Sequence, residues 1–275
     1  MKDYMKINQD ILNAWQKDFT DNGGEDCHFS NDGIMFRGEL YTEEIEGQLQ
    51  WKHKIGNNEN ELWENAKPRI LYLTKDQNAK NGSAWDDRAT SFRQPDSKKE
   101  DNKIWGKYRF HQNLVNTLYG LVNTTPDKFV EFEDIDQEEA LKLSDSYPFA
   151  RINCKKEAGG SNCSNDILTN DMENHSSYLE KQILNLEADI LICCGHQNDE
   201  NVILDFLNNH GYDFKWDEGD KGADDIYYDS AKNAIAIDVF HPSYYSKSEK
   251  FYYEDIVKTY YNFLKGHPKF IESLR

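Results

Sequence analysis

The stretch AIAIDVFHPSYYS, residues 234–246, decides how the rest of the chain is read. Its first seven residues form an apolar run interrupted only by Asp238, with the length and composition of a strand buried on both faces. The run stops on His241, Pro242 and Ser243, where an ordinary turn would carry Asn-Gly or Asp-Gly. Proline pushes the residue before it towards extended geometry, so the imidazole projects from the strand end and does not curl into a helix.

Three further runs share this character: RILYL (69–73), PFARIN (148–153) and DILICC (189–194). Helical patterns separate them. Phe110, Leu114, Leu118 and Leu121, with Val115 and Val122, form an apolar stripe at helical spacing. SSYLEKQILNLEA (176–188) aligns Leu179, Ile183 and Leu186, and DENVILDFLNNHG (199–211) closes on Gly211, where a helix terminator belongs. YYEDIVKTYYNFLKG (252–266) supplies the last amphipathic helix. Strands alternating with helices predict a three-layer α/β/α sandwich around a central four-stranded, mostly parallel sheet. DDIYYD (224–229) is an additional candidate strand, hairpinned to the final run, and GNNENE (56–61) and DEGDKGADD (217–225) read as surface loops. No repeat or low-complexity linker divides the chain. The expected organisation is one α/β unit over 68–275 with residues 1–67 as an extension packed on it.

Bulk properties narrow the function. With 275 residues, 37% hydrophobic and 13% aromatic, the chain can bury a sizeable core. Nothing in it approaches the roughly 18 apolar residues of a membrane span, and MKDYMKINQDILNAWQKDF is too polar for a signal peptide. A cytoplasmic monomer is expected, with no membrane partner. Cys27, Cys154, Cys163, Cys193 and Cys194 lack the paired spacing of a disulfide framework or zinc site, so free thiols are expected. A net charge of −18 repels phosphate backbones unless the basic residues gather on one face. One segment leans that way: residues 88–110, RATSFRQPDSKKEDNKIWGKYRF, interleave Arg and Lys with Phe, Trp and Tyr, as a stacking and backbone-tracking surface does. The same composition also suits a solvated loop and helix start.

In open sheets of this class ligands bind beyond the carboxyl ends of the strands. The continuations there, TKDQNAKNG, CKKEAGG, GHQN and HPSYYS, place Asp76, Gln77, Asn78, Asn153, His196 and His241 on one rim. A carboxylate such as Asp76 can orient water or balance a developing positive charge, although capping a turn is its ordinary role. The Asn153 amide offers the donor and acceptor needed to read a pyrimidine edge. A neutral His241 N–H can donate to an oxygen on which negative charge develops.

Taken together, strand-Asp (LYLTKDQN), strand-Asn (ARINCKK), strand-Gly (ADILICCG) and strand-His-Pro-Ser (VFHPS), in this order, resemble the uracil-DNA glycosylase superfamily, over roughly residues 68–266. The resemblance implies that fold, and hydrolysis of the N-glycosidic bond of uracil or another deaminated or damaged base in DNA. It makes Asp76 the water-positioning acid, Asn153 the base-reading amide and His241 the group that stabilises the departing base. Gln77, Asn78 and Ser243 join Asn153 as substrate contacts, Ser243 with Pro242 pressing on the phosphate backbone. Phe92, or Trp85, is the candidate aromatic for stacking on the base. The chain departs from the family pattern at Thr74, Gln77 and Asn78, where glycine, proline and tyrosine are usual, and its cysteines do not reproduce an iron–sulfur pattern. No cofactor or metal is implied. The partner is DNA, single-stranded DNA included, or a nucleotide or base ligand. The alternative is a nucleotide- or modified-base-binding protein that keeps the fold without turnover. A metal-dependent hydrolase built on Asp76, His196, His241 and Cys154 ranks third, because these donors lack a recognised ligand spacing.

Overall fold

The computed structural model describes residues 1–45, 48–79, 83–93, 108–160, 163–217 and 225–274. The chain opens with α1 (Tyr4–Asp21), capped by Asp3 and burying Tyr4, Asn8, Leu12 and Trp15 along one face. A short strand β1 (Gly33–Ile34) leads to the hairpin β2 (Leu40–Ile45) and β3 (Gln48–His53), then α2 (Glu59–Asn65) and β4 (Ile70–Thr74). Next come α3 (Arg109–Asn123), α4 (Gln137–Ser146), β5 (Ala150–Asn153), α5 (Asn165–Asn174), α6 (Ser176–Leu186) and β6 (Ile190–Cys193). A miniature hairpin, β7 (His196–Gln197) and β8 (Glu200–Asn201), precedes α7 (Val202–Asn209), β9 (Lys215–Trp216), β10 (Ile226–Asp229), β11 (Ala234–Asp238) and α8 (Glu249–Gly266).

The fold is mixed α/β. Its main sheet has seven strands in the order β1-β5-β4-β6-β11-β10-β9, not the four expected. The four apolar runs form its parallel centre, β5-β4-β6-β11. Antiparallel edges are added by β1 on one side and by β10 and β9 on the other. The edges were hard to read for a physical reason: β1 and β9 are two residues long and held by backbone pairing, without an apolar pattern. The hairpin partner anticipated at 224–229 is β10. Residues 59–61 lie in α2 instead of a loop, because Glu59 is buried and its carboxylate accepts the N–H groups of Arg37 (3.2 Å) and Gly56. Of the loop expected at 217–225, residues 218–224 lie outside the described residues.

Alternate side chains of the central strands feed two cores, as the period of a strand requires. Tyr72, Ile190, Ile192, Ile235 and Ile237 pack with α3, α4 and α8. Leu71, Leu73, Leu191, Cys193 and Ala236 pack with α1, α5, α6 and α7. Register aligns the carboxyl ends: Thr74 lies beside Asn153, and Cys193 lies between Leu73 and Asp238. All five cysteines are free, and among the described residues no helix is long and apolar enough to cross a membrane.

The N-terminal residues are tied into this frame by a buried ion pair. Lys156 Nζ lies 2.7 and 2.6 Å from the two oxygens of Asp32, with both side chains sealed from solvent. Asp32 also accepts from Gln182 Nε2 at 2.8 Å and from the Asn153 backbone N–H at 2.9 Å. Breaking a buried pair strands a charge. Asp32→Ala should therefore cost about 3–5 kcal/mol in urea denaturation, and adding Lys156→Met to that variant should recover part of the loss.

Candidate active site

The rim at the carboxyl ends of β4, β5, β6 and β11 holds the candidate site. Beyond β4 the pairing with β5 continues through Cys154 N–H to Thr74 O (2.8 Å) and Lys155 N–H to Lys75 O (2.9 Å), which fixes the backbone leading into Asp76. The Asp76 side chain is 10% exposed, with Lys155 Nζ 4.0 Å away. Burial raises its pKa above the ordinary carboxylate range, while Lys155 and Lys75 pull the other way. Gly159 lies close beside it: a Cβ there would meet the carboxylate and force it to shift.

His241 stands at the end of β11, two strands from β4, so the two backbones are separated by roughly 10 Å. Its ring packs against Phe110 at 5.6 Å, and Asn113 Nδ2 donates to Pro242 O at 2.7 Å, which fixes the exit of the strand. The Ser243 N–H donates to His241 Nδ1 at 3.3 Å. With Nδ1 accepting, the proton of the neutral ring sits on Nε2. Burial pushes the pKa of this imidazole down to about 4, with Lys75 and Arg151 adding to the shift. The carboxylate and a neutral N–H donor thus share one edge of the sheet.

The other expected contacts fall differently. Asn153 is buried, its amide oxygen accepting from Thr74 Oγ1 (2.8 Å) and its Nδ2 donating to Asp87 Oδ2 (2.6 Å). Gln77 is buried as well: its amide clamps the Trp85 backbone, donating to the carbonyl at 2.8 Å and accepting from the N–H at 3.0 Å. Asn78 is exposed, its backbone bridged to Gly159, and Ser243 is exposed beside the histidine. Phe92 is 2% exposed and packs between His111 (5.0 Å) and Phe149 (6.2 Å), a core position. Trp85 is 39% exposed.

The structure adds a pair that sequence reasoning missed. His196 Nδ1 lies 3.1 Å from Asp238 Oδ2, and Asn201 Nδ2 donates to the other oxygen of the same carboxylate. Asp238 as the one charge in an apolar run was the available signal. His196 is carried on the β7–β8 hairpin, whose turn residues Asn198 and Asp199 have φ of 53° and 64°, as a primed two-residue turn demands. The hairpin joins two strand ends, since Gln197 Oε1 accepts from Lys75 Nζ at 3.2 Å. Asp76, His196, His241 and Cys154 do not gather their donor atoms; among the described residues only Glu25, Cys27 and His28 do, within 4.8 Å.

Of the basic segment 88–110, Arg88 pairs with Asp86 (2.7 Å) and Arg93 with Asp145, whereas Arg109 forms no ion pair among the described residues. Lys98, Lys99, Lys103 and Lys107 lie outside the described residues. After β5, Lys156 pairs with Asp32 (2.6 Å) and Lys155 with Glu157 (3.6 Å).

No protein-family model matches this chain, and neither do the curated proteins or the solved structures compared with it. The fold and the rim define an α/β protein with a carboxylate and a neutral imidazole at the carboxyl edge of its parallel strands.

Two titrations check this electrostatic description. A depressed histidine pKa stabilises the fold above about pH 6.5 and is lost as pH falls through about 4. NMR titration should give His241 a midpoint near 4, and His241→Gln should be less sensitive than the parent to acid between pH 6.5 and 4. The raised pKa of Asp76 has the opposite sign: its ionised form is the disfavoured one in the fold. Asp76→Asn should therefore raise the melting midpoint at pH 7.

Proposed function

We propose that the chain hydrolyses N-glycosidic bonds, removing uracil or another deaminated or damaged base from DNA, in the manner of the uracil-DNA glycosylase superfamily that its rim residues resemble. The observation that carries this reading is the His241 tautomer. A ring that accepts at Nδ1 and resists protonation presents Nε2–H as a neutral donor. Such a donor suits an oxygen gaining negative charge as a base departs.

The chemistry needs opposite charges served at one place. When the C1′–N bond breaks, its electron pair leaves with the base and the sugar becomes cationic. The anionic base accepts the His241 N–H, while Asp76 stabilises the sugar cation and orients the attacking water. Water oxygen then bonds to C1′, its proton passes to the carboxylate and onward to the base, and the products are free base and an abasic sugar. A base inside a duplex must first leave the stack, so single-stranded DNA is the easier substrate.

The second reading is a nucleotide- or base-binding protein without turnover. It is favoured by the Asn153 amide, whose oxygen and nitrogen already bond Thr74 and Asp87, and by the inward pairing of the cations. One assay separates the two. Incubation with a uracil-containing single-stranded oligonucleotide should release free uracil, with a loss of about 10²- to 10³-fold in His241→Ala and a comparable loss in Asp76→Asn. Binding of the oligonucleotide without release from any deaminated base supports the second reading.

A further inference from the structure

The β2–β3 hairpin sets Tyr41 opposite Lys52 and leans on the segment after residue 89, where Lys52 bridges Thr90 and the Ser91 N–H reaches Trp51 O at 3.2 Å. Between the hairpin and this segment lies a cavity of about 650 Å³ whose lining includes Phe36, Tyr41, Glu43, Lys52, Ile55 and Trp85. Its volume is in the range of small-molecule sites, roughly 300–1,000 Å³.

Lys52 is one of the charged side chains of this wall. It is 5% exposed, yet among the described residues its ammonium donates no hydrogen bond and forms no ion pair. Its stem is buried while the ammonium keeps access to solvent, so its three N–H donors are open to a ligand acceptor. The nearby carboxylates are committed elsewhere: Asp86 to Arg88, and Asp87 to Arg151 and Asn153. Glu43 is exposed on the hairpin. Burial holds the Lys52 pKa below the ordinary lysine range, with Glu43, Asp87 and Asp86 opposing from a distance. The rest of the lining sets aromatic and aliphatic side chains beside His53, Lys54 and Asp86, and Trp85 is held there by the Gln77 clamp on its backbone.

We propose that this cavity binds a flat aromatic anion, its ring against Trp85 and Tyr41 and its carboxylate or phosphate on the Lys52 ammonium. The anion supplies the acceptor that Lys52 lacks, and the apolar walls take the ring. The site is separate from the rim that carries Asp76 and His241, and it does not rest on the glycosidic reading. Two sources share the required chemistry, a mononucleotide and an aromatic acid.

Titration calorimetry on the full chain distinguishes them, using uridine 5′-monophosphate and indole-3-carboxylate, with uridine and indole as the uncharged counterparts. One of the anions should bind at least about tenfold more tightly than its neutral counterpart, as expected for a charge-assisted hydrogen bond. Lys52→Met should weaken that binding about tenfold or more, Lys52→Arg should keep most of it, and Trp85→Ala should weaken it while leaving the circular dichroism spectrum unchanged. The anion that binds names the source. The proposal fails if neither anion binds at millimolar concentration, or if binding persists in Lys52→Met. Binding abolished by Asp76→Asn but kept in Lys52→Met would place the ligand on the rim and overturn it equally.

Discussion

The architecture of the rim depends on charges buried around the end of β5. Its sequence, ARINCKK, carries Arg151 and Lys156 into the interior on either side of Asn153. Each cation meets a carboxylate from a distant segment: Asp87 pairs with Arg151, and Asp32 with Lys156. The same carboxylates also capture Asn153, Asp87 through its amide and Asp32 through its backbone N–H. Desolvating such ions costs several kcal/mol each, so the arrangement persists only because each is closely bonded. The consequence is positional. Residues 32 and 87 cannot drift from β5, and the loop between Asp76 and Asp87 is held at both ends.

This explains which parts were legible in the amino-acid sequence. The four central strands were readable because a strand buried on both faces must be mainly apolar, and 69–73, 148–153, 189–194 and 234–240 are, with Arg69, Arg151, Asn153, Asp189 and Asp238 as their polar members. The helices at 110–122, 176–188 and 252–266 were readable from their period, and they fold as α3, α6 and α8. The edge strands were not, since two-residue pairings have no period. The role of α1 lay within reach, because Tyr4, Leu12 and Trp15 repeat at helical spacing, but Asn8 breaks the stripe and is buried with its amide donating to the Asp32 carbonyl and accepting from Gln182.

The side chains of the rim were a harder problem, because an amide or a cation looks the same in sequence whether it faces a ligand or a neighbour. Asn153 and Gln77 read as substrate contacts, and both hold protein atoms: Asn153 through partners 79 and 66 residues away, Gln77 through the Trp85 backbone. Arg88 and Arg93 read as part of a backbone-tracking surface, and each meets an acid. Ion pairing is a tertiary fact that composition does not contain. His241 was different: proline after it constrains the backbone locally, so its placement at the strand end followed from two adjacent letters.

The inward pairing also bears on how an acidic chain of −18 would meet a nucleic acid. At the rim, Lys75 stands apart from the other cations. Its ammonium donates to Cys163 O at 3.2 Å, Asn165 Oδ1 at 3.4 Å and Gln197 Oε1 at 3.2 Å, all neutral oxygens. Among the described residues the carboxylate that opposes its charge is Asp76, and it acts on the same region as the His241 ring whose pKa it depresses. One ammonium of this kind can hold one phosphate. A surface that neutralises many phosphates derives its affinity from released counterions and loses it steeply with salt. On the glycosidic reading, a site whose described residues offer one such cation would draw most of its binding free energy from the base and sugar instead, and its affinity would be correspondingly flat in salt. On that reading, recognition would then centre on one nucleotide at the rim, beside Asp76, Lys75 and His241, and not along a strand.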